Sequence, residues 1–437
     1  MEIRTSVPPD QGPSASPLFP ARQRANPDKL RVCVVGAGHG GTAVAGYLGL
    51  KGLPVVLYNR TPDKLEAIRA QGGVRLEGSV TGFGRLTGAT SVAAEALTWA
   101  DLVLVVVPAT AHAPLAREFS PFLRADHTVV LIPGRTLGAI EFLHTACGRN
   151  DAAFIIAETQ TLPFASRLLE PGTVRILARK NTLAVAALPA ARTQEVIRTL
   201  GFAFPSVEIK AAAHVLELGM NNMGAMLHPL PLLLSSGRVE GGERFEFYHQ
   251  GFTSAVGKAL EVMDRERRDV ARALGVKVLD LRSWLRESYG ATVRRKDLAG
   301  AIRGTKAYSG ITAPHSLDTR YFTEDVPTGL VPMRALGKLV SVATPTMDSV
   351  IALSSAVTGQ DFARTGRQLE NLGLGNASAT QILSYVISGR KPARRKLRGR
   401  VPPESRRRII AGIEDPWHQS VRACGLCAPE ADCRCES

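Results

Sequence analysis

Four glycines lie in the hexad Gly36-Ala-Gly38-His39-Gly-Gly41. A short apolar run, Val32-Cys-Val-Val35, precedes them, and a small-residue stretch with helical patterning follows. Strand, glycines, then helix is the order that a dinucleotide diphosphate requires. Gly36 allows the tight turn, Gly38 lets the backbone approach the phosphates, and Gly41 lets the helix pack close to the strand. The helix start, His39 included, offers unpaired N–H groups and a positive dipole end to the anion. The next strand, Pro54 to Tyr58, ends at Asn59-Arg60. A carboxylate at that place would hydrogen-bond a ribose 2′-hydroxyl and repel a 2′-phosphate, whereas Arg60 can pair with one. The expected cofactor is therefore NADP(H) in preference to NAD(H). The plainer reading makes Arg60 a solvated residue at a helix start.

Other groups are placed to do proton and carboxylate chemistry. Strand ends in such a sheet face the ligand crevice. That puts Pro108 on the cofactor side, with Arg135 and Glu158 as candidate substrate-binding residues. Further on comes Asn221-Asn-Met-Gly-Ala-Met-Leu-His228-Pro229. On one continuous helix Asn221 and His228, seven apart, share a face, so Asn221 is a further candidate for the substrate. Pro229 predicts that the helix ends or kinks at His228. The segment Arg320-Tyr-Phe-Thr-Glu324-Asp325-Val-Pro327 supplies partners. Hydride transfer to a carbonyl or imine needs a proton donor, and histidine serves near neutral pH. It also needs a carboxylate to orient that histidine and a cation for a substrate carboxylate. His228, Asp325 and Arg320 meet these needs. The bland alternatives are a satisfied core histidine and a surface pair of Arg320 with Glu324 on one helical turn.

These residues must be held by an appropriate framework. Apolar runs at Asp101 to Pro108, Thr128 to Ile132 and Ala152 to Ala157 read as strands buried on both faces of a parallel sheet. Helical segments alternate with them, predicting a doubly wound, mostly parallel α/β domain of the Rossmann type. After about Lys210 the pattern turns helical, with Val256, Leu260, Met263, Val270 and Leu274 at helical spacing. The expected organisation is a disordered leader over 1–29, a dinucleotide-binding domain over 30–210, an all-helical catalytic domain over 211–389 and a basic tail over 390–437.

Composition narrows the class. The 437 residues are 45% hydrophobic, ordinary for a globular protein of two or three domains. No apolar run reaches the length of a membrane span. The leader is rich in Pro, Ser and Ala and lacks the continuous apolar segment of a secretory signal, so a cytoplasmic protein is expected. The net charge of +15 suits anionic ligands. From Arg390 onward the chain carries 12 Lys/Arg against 6 Asp/Glu. Solvated charge is the plainer reading of that tail, and neither nucleic acid nor membrane is an expected partner. Cys33 and Cys147 read as small hydrophobes. Cys424, Cys427, Cys433 and Cys435, with His418, could form a zinc knuckle, but their irregular spacing favours a metal-free thiol tail. The oligomeric state stays open, a homodimer included.

Taken together these residues resemble the octopine/nopaline, or opine, dehydrogenase family over about Leu30 to Gly389. The matching pieces are the Gly36–Gly41 turn, Ala157-Glu-Thr-Gln-Thr-Leu-Pro-Phe164, His228-Pro229, Arg320-Tyr-Phe-Thr-Glu-Asp325-Val-Pro327 and Gly366-Arg-Gln-Leu-Glu-Asn-Leu-Gly-Leu374. The Arg320–Pro327 piece is the most specific. The resemblance implies reductive condensation of an amino acid with a 2-oxo acid through an imine. It implies His228 as acid/base, Asp325 as its partner, and Arg320 as a residue of the substrate carboxylate or the catalytic network. Two other readings compete. One is a two-domain ketone reductase of the ketopantoate or glycerol-phosphate kind, where a lysine usually acts from the helical domain. The other is a non-catalytic cofactor-binding protein.

Overall fold

A computed structural model describes residues 30–147, 154–289 and 297–392. The leader and the cysteine-bearing tail, with the zinc-knuckle reading, lie outside the described residues, as do Ala152 and Ala153 of one expected strand.

The first half builds an eight-stranded sheet. Its strands are β1 (Val32–Val35), β2 (Val55–Tyr58), β5 (Gly88–Thr90), β6 (Leu102–Val105), β7 (Thr128–Leu131), β8 (Ile155–Thr159), β11 (Thr182–Leu188) and β12 (Glu208–Ala211). They are ordered β12-β11-β8-β7-β6-β1-β2-β5. All neighbours pair in parallel except β11 with β8. The runs β1, β2, β6 and β7 are buried at every position. A strand covered by helices on both faces has no polar face to offer, hence their unbroken apolar sequences.

The sequence reading did not foresee a second sheet. It comprises β3 (Gly73–Gly78), β4 (Gly82–Arg85), β9 (Phe164–Glu170) and β10 (Thr173–Arg179), ordered β4-β3-β10-β9. Helix α1 (His39–Leu50) packs between the two sheets and is buried from Gly41 to Leu48. A helix wanted on both sides has no polar stripe, and α1 is apolar and small all round. Its start is glycine-dependent. Gly36 has φ of 111°, and a side chain there would meet the Val106 carbonyl oxygen at 2.5 Å. A Cβ on Gly41 would lie 1.8 Å from the Gly36 carbonyl oxygen.

From Val215 to Ser388 the described elements are helices, apart from a single bridge between Glu246 and Thr312. The longest, Ser254–Ala273, buries Val256, Leu260, Met263 and Val270, the residues picked out by spacing. Its fully buried Arg267 donates to Asp264 and to the Met220 carbonyl, anchoring the segment that leads to His228.

The substitution Gly41→Ala cannot be absorbed by side-chain motion, because the obstacle is backbone. We expect a loss of at least about 1–3 kcal/mol, with weakened cofactor binding, seen in thermal melts and a cofactor titration. A variant that melts and binds like the parent would refute the close helix–strand contact.

Candidate active site

Two abrupt turns in the chain build the centre. The first is at His228, between the helices Met223–Leu227 and Pro229–Leu233. Pro229 ends the hydrogen-bond ladder there, and the His228 N–H still bonds to the Gly224 carbonyl at 3.1 Å. The second follows the single turn Arg320–Thr323, where the chain widens to a π-helical turn over Val326–Leu330. Such widenings are frequent at functional sites. Gly329 lets the two segments touch, since a Cβ there would lie 2.5 Å from that of Ala225.

His228 Nδ1 lies 2.7 Å from Asp325 Oδ2. An ionised carboxylate only accepts, so Nδ1 carries the proton and Nε2 is the working nitrogen. Nε2 is 2.9 Å from the Tyr248 hydroxyl. The Tyr321 ring stacks flat on the imidazole, centroids 4.1 Å apart and planes at 9°. Asp325 is fully buried. Burial would raise its pKa, but Arg135, His228 and Arg320 outweigh burial and hold it below the usual value. Its second oxygen accepts no hydrogen bond and faces Arg135 Nη1 at 3.5 Å. Burial pushes the Tyr248 hydroxyl well above its ordinary pKa, so it stays protonated and can donate to Nε2.

Arg135 follows β7 with φ of 64°. Its guanidinium also reaches Glu324 at 3.4 Å and Asn222 Oδ1 at 3.4 Å. Gly224 leaves room for this pair, because a Cβ there would sit 2.6 Å from Arg135 and 2.8 Å from Asp325. Glu324 is no surface residue. It accepts from the Ala109 N–H at 3.1 Å, and Arg320 reaches its other oxygen only at 3.9 Å. Arg320 is 59% exposed and its charge is felt both at Tyr321 and at His39.

Two expected substrate residues are placed differently. Asn221 does not share a face with His228, because the helix Val215–Met220 ends at Asn221 before the next begins. Its amide donates to the Glu217 carbonyl and accepts from the Leu279 N–H. Asn222 faces Arg135 and Thr136 instead. Glu158 is fully buried beneath the crevice and accepts from the Ala139 N–H at 2.9 Å. It packs so closely on Gly134 that a Cβ there would lie 2.1 Å from its carboxylate. It shapes the turn that presents Arg135. Sequence reasoning also missed Tyr248, Gly224 and Arg367. Arg367, buried, donates to the carbonyls of Gly134, Thr136 and Ala109, drawing the crevice loops together. Its signal was the arginine in the Gly366–Leu374 segment, which carried no assigned role.

The residues present fit a nicotinamide dinucleotide. Gly38 and His39 are exposed, and nothing lies within 4 Å of a Cβ built on Gly38. Helix α1 has no side-chain cap and no acid in its first turn, so its N–H groups are open to an anion. Asn59 braces the turn by accepting from the Ala37 N–H at 3.0 Å. Arg60 stands exposed at the end of β2. Pro108 caps the turn Ala109–Ala111 on the crevice side.

This combination defines a two-domain nicotinamide-dependent dehydrogenase with a histidine–aspartate dyad. Comparison with known proteins gives the family. Residues 211–358 match the family model described as NAD/NADP octopine/nopaline dehydrogenase, alpha-helical domain. Residues 32–189 match the model for ketopantoate reductase PanE/ApbA. The chain is 37% identical over 354 residues to an opine dehydrogenase of Arthrobacter sp. (strain 1C), covering 81% of this chain and 98% of that protein. It is 26% identical over 400 residues to octopine dehydrogenase of Pecten maximus, covering 83% and 100%. The fold matches the solved octopine dehydrogenase with NADH and L-arginine at a TM-score of 0.71, 24% identity, covering 84% and 100%. The chain belongs to the octopine/nopaline (opine) dehydrogenase family, oxidoreductases that reductively condense an amino acid with a 2-oxo acid through an imine. The ketopantoate reductase model matches residues 32–189, in the cofactor-binding half.

Glu158 gives the site a pH signature. Burial raises its pKa from 4.5 to about 8, against the Ala139 N–H and Arg367, which lower it. Between those values the unfolded chain has lost this proton and the native chain keeps it. The stabilisation is complete below 4.5 and is lost as pH rises toward about 8. The isosteric Glu158→Gln variant keeps an acceptor for Ala139 and has no such titration. Relative to the parent, its melting temperature is expected to improve steadily from pH 5 to 8. Parallel curves would show that Glu158 is ionised in the native state.

Proposed function

We propose that His228 moves the protons of the condensation through Nε2, with Asp325 holding Nδ1 and Tyr248 donating to Nε2 until substrate takes its place. The carrying observation is the 2.7 Å dyad contact, ionised at Asp325 and stacked under Tyr321 beside the cofactor crevice. As the amine nitrogen bonds to the carbonyl carbon, the unprotonated Nε2 of His228 takes one proton from the nitrogen and passes it to the carbonyl oxygen. It then takes the second proton from the nitrogen and gives it to the departing hydroxyl, so that water leaves and the imine remains. A reduced nicotinamide bound on the glycine turn supplies the hydride for the resulting imine carbon. Arg320, exposed at the mouth, pairs with a substrate carboxylate. Arg135, already engaged by Glu324 and Asp325, keeps the dyad charged and in place. Closure of the helical half over the crevice would exclude water during transfer. We place the boundary between the cofactor-binding domain and the helical domain near residue 210, and the enzyme in the cytoplasm. Among the described residues no helix is long and apolar enough to cross a membrane.

We read the cofactor as NADP(H). Arg60 has no acidic partner among the described residues, and no carboxylate occupies the end of β2, where Asn59 braces the turn.

The decisive assay is oxidation of NADPH and NADH with a panel of 2-oxo acids, each with and without amino acids. Amine-dependent oxidation is expected, and His228→Ala should lower its kcat at least about a hundredfold. Oxidation by oxo acid alone, or an active His228→Ala enzyme, would refute this assignment. Separately, Arg60→Ala should raise the dissociation constant for NADPH about tenfold and leave that for NADH nearly unchanged. Equal losses for both would point to NAD(H) as the natural cofactor.

A further inference from the structure

Two residues of the turn after β7 have a backbone conformation that side-chain-bearing residues rarely adopt. Arg135 has φ of 64° and Leu137 φ of 63°. Such conformations persist only where the surroundings over-determine them. The Arg135 guanidinium does not fix itself. It approaches Glu324, Asn222 and Asp325 no closer than 3.4 Å, which is long for a hydrogen bond. Its backbone aims it at Asp325.

That backbone is gripped by Arg367. The guanidinium is buried, and each of its five N–H donors has an acceptor. Nη1 donates to the two carbonyls that flank Arg135, those of Gly134 at 3.1 Å and Thr136 at 2.8 Å. Nη2 donates to the Ala109 carbonyl at 3.2 Å and to His112 Nδ1 at 3.1 Å. Burial, then the charges of Arg367 and Arg135, hold His112 well below its ordinary pKa, so the ring is neutral and can accept. Nε donates to Glu141 at 2.9 Å. The main-chain N–H of Arg367 donates to the Pro327 carbonyl at 2.9 Å, two residues beyond Asp325. Gly366 permits this approach, since a Cβ there would lie 2.8 Å from the same carbonyl oxygen. One residue thus holds the turn of Arg135 by its side chain and the turn of Asp325 by its main chain.

We propose that Arg367 is a positioning residue for the reaction, setting Arg135 against Asp325 by clamping the two carbonyls on either side of Arg135. This rests on His228 and Asp325 being the proton-moving pair. Arg367 itself touches neither substrate nor cofactor. Lysine cannot replace it, because donors that radiate from one nitrogen do not reproduce a planar fork. Glu141 meets Nε and Nη2 and not the Nη1 that holds the clamp. The pair with Glu141 therefore serves stability and leaves the aim of Arg135 alone.

The test is amine-dependent oxidation of NADPH by the full chain, run as a double-mutant cycle between Arg367→Lys and Arg135→Met. Alone, Arg367→Lys should lower kcat about tenfold and keep the dissociation constant for NADPH within about twofold of the parent's. In the Arg135→Met background it should lower kcat by less than about twofold, because no aimed cation is left to lose. Glu141→Gln should melt earlier than the parent and keep the parent's kcat. Saturating NADPH steadies the variants during assay. Where Arg367→Lys does not fold, Arg367→Gln takes its place in the cycle. Equal losses of kcat in both backgrounds would overturn the proposal. So would a kcat that falls with melting temperature alike in Arg367→Lys and Glu141→Gln, since the role would then be stability alone. An active His228→Ala enzyme would overturn the dyad on which the proposal rests. An inactive one, together with additive losses in the cycle, would overturn the role of Arg367 only.

Discussion

Asp325 holds an ionised carboxylate with no access to solvent, and the placement of both halves follows from that charge. A buried charge left unpaired costs about 3–5 kcal/mol. Its compensation comes from two directions. His228 approaches from its own half at 2.7 Å, and Arg135 reaches across from the sheet at 3.5 Å. The dyad can therefore be assembled only when the turn after β7 lies against the helical half. Chemistry and interdomain contact share one carboxylate.

The surrounding groups make that arrangement rigid. Glu324 accepts from Ala109 after β6, and Arg367 donates to three carbonyls on the loops after β6 and β7. Adjacent acids, Glu324 and Asp325, thus serve the sheet and the histidine respectively. The widened turn that follows, with Gly329 against Ala225, is what lets their segment sit so close to Met223–Leu227. Preorganised groups of this kind need little rearrangement during reaction. Such rigidity at the floor leaves the exposed Arg320 side chain as the freer group at this centre.

Legibility in the sequence tracked locality. The glycine turn was readable because its requirements are met within one strand, one turn and one helix start. β1, β2, β6 and β7 were readable because doubly covered strands are apolar throughout. The pairing of His228 with Asp325 could be anticipated because few residue types can do the chemistry sought, and because the Arg320–Pro327 piece is specific. Asn221 was misplaced because the heptad argument assumes an unbroken helix, and this one ends at Asn221 itself. Glu158 looked like a crevice residue because it ends a strand, but its side chain turns inward beneath Gly134. Tyr248 had no local signature, as its contact with His228 comes from tertiary packing twenty residues away. The second sheet was hidden for the same reason: β3 and β10 pair across about a hundred residues of chain.

One cofactor-binding scaffold can serve different chemistries. The first half matches a reductase of ketones, the second a family that reduces imines. A Rossmann turn recognises only what all its dinucleotides share, so it cannot by itself select the reaction. Selection falls to the groups at the crevice, among them the His228–Asp325 dyad. An imine-forming enzyme must hold two carboxylate substrates and an anionic cofactor at once, where like charges repel. Arg320, 59% exposed, carries a charge of the sign that answers that repulsion. The same need accounts for a strongly basic body without any appeal to nucleic acid.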